Sequence, residues 1–182
     1  PVGTKFQAAL DMAIADGCDR VMILGSDDFV SSEWIDRALT FEAPYFTPAS
    51  AAVHDPRRGT YLVRFNGRSV GSGGAGRVVS AHAVRKAGGL WVLGRNKALD
   101  SESHSRLTAA GYSCKVVPTK RVPLVDVKSG VNIWPFDRWR RHGNKCSDAD
   151  ALWMVSDVIR ERLSTICEPV PPPMSPRPVH HK

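Results

Sequence analysis

Long apolar runs are missing from this chain. No stretch approaches the roughly 20 apolar residues a bilayer span needs, so a membrane-spanning helix is not expected. The opening PVGTKFQAAL has neither a charged n-region nor a long apolar h-region, which argues against a signal peptide. Cysteine is scarce: Cys18, Cys114, Cys146 and Cys167 lie far apart, with no C-x-x-C and no Cys/His cluster, which disfavours a zinc site or a disulfide framework. Reduced thiols and a cytoplasmic location are the expectation. There is no G-x-x-x-x-G-K-[ST] sequence, and no fingerprint of strand, glycine turn and helix supports a specific nucleotide fold.

What remains is a chain of 182 residues, 42% of them hydrophobic, enough for one sizeable core and too few for two ordinary domains. The formal net charge of +7 is unevenly spread. Acids prevail up to Val53, whereas from His54 to Lys97 nine bases face Asp55 alone, and a second basic stretch runs from Lys115 to Lys145. Such asymmetry can attract an anionic partner such as a nucleotide sugar, a phosphorylated glycan or nucleic acid. It is equally the mark of a solvated face on a basic protein.

Apolar spacing predicts an amphipathic helix over Thr4 to Ala15, with Thr4 as N-cap and Gly17 as stop. DRVMILG then reads as a strand covered on both faces, and SSEWIDRAL as a helix behind a serine cap. Helix, strand and helix in this order predict a layered α/β domain, in which ligands gather outside the carboxyl ends of strands. Asp27 and Asp28 are expected to stand there, although a tight turn whose Asp side chains bond nearby amides would use the same residues. PYFTPAS reads as irregular and extended, and TYLVRF as a strand. Asn66 to Gly76, NGRSVGSGGAG, reads as a flexible surface loop or, alternatively, a mobile loop closing over a phosphate.

Downstream, RVVSAHAVRKAGGLW predicts a strand or turn and a short helix ending at Gly88 and Gly89. SESHSRLTAAGY predicts a helix capped near Ser101 or Ser103, with Asp100 just before it and Gly111 at its end, and YSCKVVP the next strand. At such a helix start Asp100 and Glu102 suit simple dipole complementation. Ser147 to Cys167 predicts a C-terminal packing helix, and residues 168–182 a disordered proline-rich tail carrying His180 and His181. Residues 1–167 would form the domain.

Two of these stretches, in this order, resemble the family-2 type of GT-A glycosyltransferase. GTKFQAALDMAIADGCDRVMILGSDD resembles that family's helix and its acidic D-x-D-D strand end, with Gly25 where the first Asp usually stands. RKAGGLWVLGRNKALDSESHSRLTAAGYSCKVVP is similar to its Gly-Gly pair followed by E-D-x-D-L-x-x-R-L-x-x-A-G-Y, with Leu99 in place of the Glu. The resemblance spans Gly3 to Pro118 and implies a Rossmann-related, GT-A-like mixed sheet flanked by helices, without the family's first βα unit. It implies Mn²⁺ or Mg²⁺ held by Asp27 and Asp28 and Asp100 as catalytic base. Gly25, Ser26, Arg77, Arg95, Lys97 and Glu102 would take part in donor or acceptor binding.

The implied partners are a nucleotide-diphosphate sugar and an acceptor glycan, protein or hydroxymethylated DNA of the phage type. Two other classes remain open on residues alone. NIWPFDRWRRHGNK interleaves bases with Trp134, Phe136 and Trp139, as in a nucleic-acid-binding module, although the same aromatics suit a core cap. The Gly25 and Leu99 replacements suit a catalytically inert GT-A-like interaction domain.

Overall fold

The computed structural model describes residues 1–55, 58–65 and 73–128, together with the backbone of 143–145. It is a mixed α/β protein, and no helix among the described residues is long and apolar enough to cross a membrane. The expected helix at Ser147 to Cys167, the tail at 168–182, and Trp134, Phe136 and Trp139 lie outside the described residues.

Helix α1 (Val2–Ala15) begins earlier than its sequence cap predicts, and Gly17, at φ 88°, ends it. Thr4 caps nothing here; its hydroxyl instead accepts the N–H of Gly94 at 3.1 Å. Strand β1 (Arg20–Met22) is short and half-buried, followed by β2 (Asp28–Val30) and α2 (Ser32–Thr40). The Ser31 hydroxyl caps α2 by accepting the N–H of Trp34, as expected of that serine. The Arg20 guanidinium donates to the carbonyls of Ala38 and Phe41 at the other end of the helix.

Next come β3 (Tyr45–Pro48), β4 (Ser50–Asp55), β5 (Gly59–Arg64), β6 (Val78–Ser80), α3 (Ala81–Lys86), α4 (Leu99–Ala109), β7 (Lys115–Val117), β8 (Leu124–Val127) and β9 (Gly143–Lys145). These strands make two mixed sheets in place of the single sheet expected. One has the order β1-β6-β3-β7, with only the β3–β7 pair parallel. The other has the order β2-β8-β4-β5-β9, with only β8–β4 parallel. β3 and β4 are separated by Ala49 alone, so one run of chain serves both sheets.

This run corrects the reading of PYFTPAS as irregular. Its prolines do not break the ladder, because Pro44 precedes β3 and Pro48 ends it, where a missing N–H costs no central hydrogen bond. β1 is an edge strand, yet it is covered on both faces as expected: Val21 packs against the core that holds Tyr45 and Met22 against the one that holds Phe46, each half-buried.

Alternation along the strands sets the layers. Tyr45 and Val79 point to one face of the four-stranded sheet and pack with Leu10, Val84, Leu90, Trp91 and Leu107 from α1, α3, α4 and the turn after α3. Phe46 and Val78 point to the other face and pack with Trp34 and Ala38 of α2. Burying a side chain such as Phe46 contributes roughly 1.5 to 3 kcal/mol. Of the described cysteines, Cys18 and Cys114 carry free thiols.

The glycine-rich segment holds the main surprise of the fold. Gly73, Gly74 and Gly76 are buried, so the described end of the stretch is not a surface loop. A Cβ on Gly73 would lie 2.3 Å from the Phe65 ring, and one on Gly76 would lie 3.1 Å from Leu124. The glycines are there because neighbouring groups approach the backbone closely, a use of glycine distinct from flexibility.

Candidate active site

The chain leaves β1 at Met22 but keeps a ladder-like contact one residue further. Ile23 donates its N–H to the Arg77 carbonyl at 2.9 Å, and Gly76 donates to the Ile23 carbonyl at 2.8 Å. A turn then places Ser26 in solvent and starts β2 at Asp28. The acids therefore do not crown the carboxyl end of a buried strand; Asp28 opens the following one. A Cβ on Gly25 would lie 2.8 Å from Asp27 Oδ1 and 3.0 Å from Asp28 Oδ2. Gly25 thus leaves room for both carboxylates, and its N–H donates to Asp28 Oδ2.

Strand pairing adds a third acid that sequence reasoning missed. Asp28 stands opposite Asp126 on β8, and Val127 donates its N–H to the Asp27 carbonyl at 3.0 Å. Asp27, Asp28 and Asp126 each offer a carboxylate oxygen, all within 4.8 Å of one another. The signal for Asp126 was an acid interrupting the apolar run VPLVDV, a position where a strand gains nothing from a charge. Lys128 is 8% exposed, and its ammonium lies 2.7 Å from Asp126 Oδ1.

Burial pushes the Asp28 carboxyl up to about 6, with Asp126 and Asp27 adding to the shift, while the Gly25 N–H and Lys128 oppose it. Asp126 is likewise raised by burial and restrained by Lys128. Three carboxylates and one ammonium carry two formal negative charges when ionised, the amount one divalent cation offsets. Oxygen-only donors so close together suit a hard ion such as Mg²⁺ or Mn²⁺.

Asp100 is built differently. It sits in the first turn of α4, whose preceding residue, Ala98, has φ 57°, the only positive φ at a non-glycine position among the described residues. The helix thus starts before the predicted serine caps, through a backbone conformation that costs energy in any residue with a Cβ. The carboxylate lies directly on Gly74, where a Cβ would come within 1.8 Å of Asp100 Oδ1. Burial raises the Asp100 carboxyl above the ordinary range, and Arg77 opposes the shift.

Arg77, a candidate for phosphate contact from sequence, is 0% exposed. Its Nη1 donates to the Asp100 carbonyl at 2.9 Å and to Ser103 Oγ at 2.6 Å, and its Nη2 donates to the Gly73 carbonyl at 2.8 Å. Beside it, the Tyr45 hydroxyl and His104 Nδ1 are 2.7 Å apart. Arg95 and Lys97 are exposed on the segment before α4. Glu102 ties that segment down: its Oε1 accepts the Val92 N–H at 2.7 Å and lies 3.4 Å from Arg106 Nε, and its Oε2 lies 3.9 Å from Arg95 Nη1.

The structure therefore gathers Asp27, Asp28 and Gly25 with the unforeseen Asp126 and Lys128, and separately gathers Asp100, Arg77 and Glu102 around the start of α4. Both groups connect to one short backbone segment. Ile23, just before the acidic turn, is bonded to Gly76 and Arg77, and Gly74 of the same segment carries the Asp100 carboxylate on its surface. Fold and site together define a mixed α/β protein with a three-carboxylate cluster and a walled-in fourth carboxylate. No protein-family model, curated protein or solved structure matches the chain.

Proposed function

We propose that the chain is a GT-A-type glycosyltransferase that moves a sugar from a nucleotide-diphosphate donor to an acceptor hydroxyl with inversion at the anomeric carbon. The observation that carries this reading is that the Gly73–Arg77 segment is bonded to Ile23, just before the acidic turn, and also lies against the Asp100 carboxylate. Two acidic motifs far apart in the chain are thereby tied to one backbone strip, which supports their working together.

Asp27 and Asp28, with Asp126, would hold Mn²⁺ or Mg²⁺, whose chemistry when bound is Lewis-acid neutralisation of charge on the donor's diphosphate. The chain's own contribution is proton transfer. The Asp100 carboxylate accepts the proton of the acceptor hydroxyl; the oxygen's electron pair forms the new bond to the anomeric carbon. The bond from that carbon to the phosphate oxygen breaks, and the nucleoside diphosphate leaves with its electron pair. Burial makes Asp100 a stronger base than a solvated carboxylate, which favours this role at neutral pH.

The test is calorimetric titration of a panel of UDP-, GDP- and dTDP-sugars in Mn²⁺, together with release of nucleoside diphosphate. Asp27→Ala is expected to weaken Mn²⁺-dependent donor binding at least about tenfold. Asp100→Asn is expected to keep donor affinity while turnover falls about 10²- to 10⁴-fold. Absence of binding by every donor, or equal turnover in Asp100→Asn and the parent, would remove the reading.

A further inference from the structure

We propose that Arg77 is the positioning residue for Asp100: from inside the core its guanidinium locks the first turn of α4 onto the glycine segment, and so fixes the carboxylate against Gly74. The inference rests on the reading of Asp100 as catalytic base, and it assigns the arginine a role opposite to a surface phosphate contact.

A fully buried guanidinium is costly to desolvate, by several kcal/mol, and persists where its donors are well used. Here the fork spans two pieces of chain: Nη2 holds the Gly73 carbonyl, while Nη1 holds the Asp100 carbonyl and the Ser103 hydroxyl. Ser103 Oγ also donates to the Asp100 carbonyl at 3.0 Å, closing a small ring of bonds around the helix start. The bonds go to the main chain of Asp100, which sets where the carboxylate is aimed. Through its own carbonyl Arg77 also accepts from Ile23, so one residue links the acidic turn by backbone and the base by side chain.

A residue that only filled the core would affect stability and leave the ionisation of Asp100 alone. Arg77 carries the charge that opposes the burial of that carboxylate. The other groups around this region are Tyr45 on β3, Cys114 before β7, and His104 and Glu102 on α4. Burial holds Tyr45 and Cys114 in their neutral forms and disfavours protonation of His104. Glu102 is engaged with Val92 and Arg106. Arg95 and Lys97, before α4, are solvated.

The experiment is a ¹³C-carboxyl NMR titration of Asp100, its signal assigned by loss in Asp100→Asn, in the parent, Arg77→Met and Arg77→Lys, with circular dichroism to check folding. Removing the charge in Arg77→Met is expected to raise the Asp100 midpoint by about one pH unit or more. Arg77→Lys keeps a charge but loses the planar fork, so its midpoint should stay within about half a unit of the parent while donor turnover falls at least about tenfold at unchanged donor KM. An unmoved midpoint in Arg77→Met overturns the proposal. Should Arg77→Met not fold, Arg77→Lys decides, and parental turnover in that variant overturns it equally. If the parent turns over no donor, the glycosyltransferase reading falls, while the titration of Arg77→Met still decides whether Arg77 governs Asp100.

Discussion

The acidic turn and the start of α4 both hold half-buried carboxylates, yet they handle the charge in opposite ways. At the turn, Asp27, Asp28 and Asp126 crowd together, and the compensating ammonium of Lys128 contacts a carboxylate oxygen directly. At α4 a single carboxylate is walled in by Gly74, and the compensating guanidinium bonds the peptide carbonyl of Asp100. The first arrangement sets three carboxylates around one ammonium among the described residues, a crowding of like charge that a bound cation would relieve. The second has its position specified and little room around it, which is what a base needs if it is to meet one hydroxyl in one geometry. A surplus of charge and a shortage of space are different kinds of tension, and different substitutions release them.

The largest effect is expected from adding one methyl group where space is short. In Gly74→Ala the new Cβ would fall 1.8 Å from Asp100 Oδ1, so the carboxylate must swing away or the segment must move. Overpacking of this kind costs about 1 to 3 kcal/mol of stability, and a base displaced by about 1 Å loses on the order of 100-fold in turnover. Urea unfolding and nucleoside diphosphate release measure the two losses. Gly25→Ala makes the matching change at the acidic turn. Its Cβ would come no nearer than 2.8 Å to Asp27 Oδ1 and 3.0 Å to Asp28 Oδ2, a milder overlap than at Gly74, so a smaller loss of stability is expected there. Equal losses in the two variants would erase the contrast in space between the sites.

This contrast was only partly legible in the sequence. The helices were in large part, because caps and stops are local: Ser31, Gly17 and Gly111 act where spacing places them, whereas the caps expected at Thr4 and at Ser101 or Ser103 gave way to earlier helix starts. Asp27, Asp28 and Asp100 were singled out by pattern as well. Asp126 and Lys128 were not, because they reach the acidic turn through pairing of β2 with β8, a non-local contact that no window of sequence contains. Arg77 was misjudged for a related reason: composition counts a base as surface charge, whereas the carbonyls of Gly73 and Asp100 that justify its burial come from two other segments. The glycine stretch misled most, since a run that looks mobile is buried where Phe65, Asp100 and Leu124 close on it.

An effect of intermediate size, and of unusual sign, follows from the surplus charge. The Asp28 carboxyl is raised from 3.8 to about 6, so between those values the folded chain binds its proton more tightly than the unfolded chain does. The associated stabilisation is complete below about pH 4 and is lost as pH rises through about 6. At pH 8 the parent therefore carries the penalty of the ionised group, nominally about 3 kcal/mol for such a shift and about 1 to 2 kcal/mol after allowance for solvent screening. Asp28→Asn removes the ionisation while keeping an oxygen for the Gly25 N–H. It should melt higher than the parent at pH 8, by an increment that shrinks toward pH 4, and a rise in Tm with millimolar Mn²⁺, expected of the parent, should be lost in the variant. A variant less stable than the parent at pH 8 would show that this carboxylate is held favourably and that the surplus is not real.

The smallest effect should come from Glu102, which belongs to the same acidic motif as Asp100 but faces different work. Its Oε1 takes the Val92 N–H, and its charged partners Arg106 and Arg95 sit toward solvent, where ion pairs contribute about 0 to 1 kcal/mol. Glu102→Gln keeps an acceptor for Val92 and gives up only the charge, so unfolding should shift by less than about 1 kcal/mol, with most of that difference lost in 0.5 M salt. Donor affinity and turnover should match the parent. If turnover instead falls tenfold or more, Glu102 acts on a substrate. The start of α4 would then hold two working acids, and its likeness to the crowded turn would be greater than its geometry indicates.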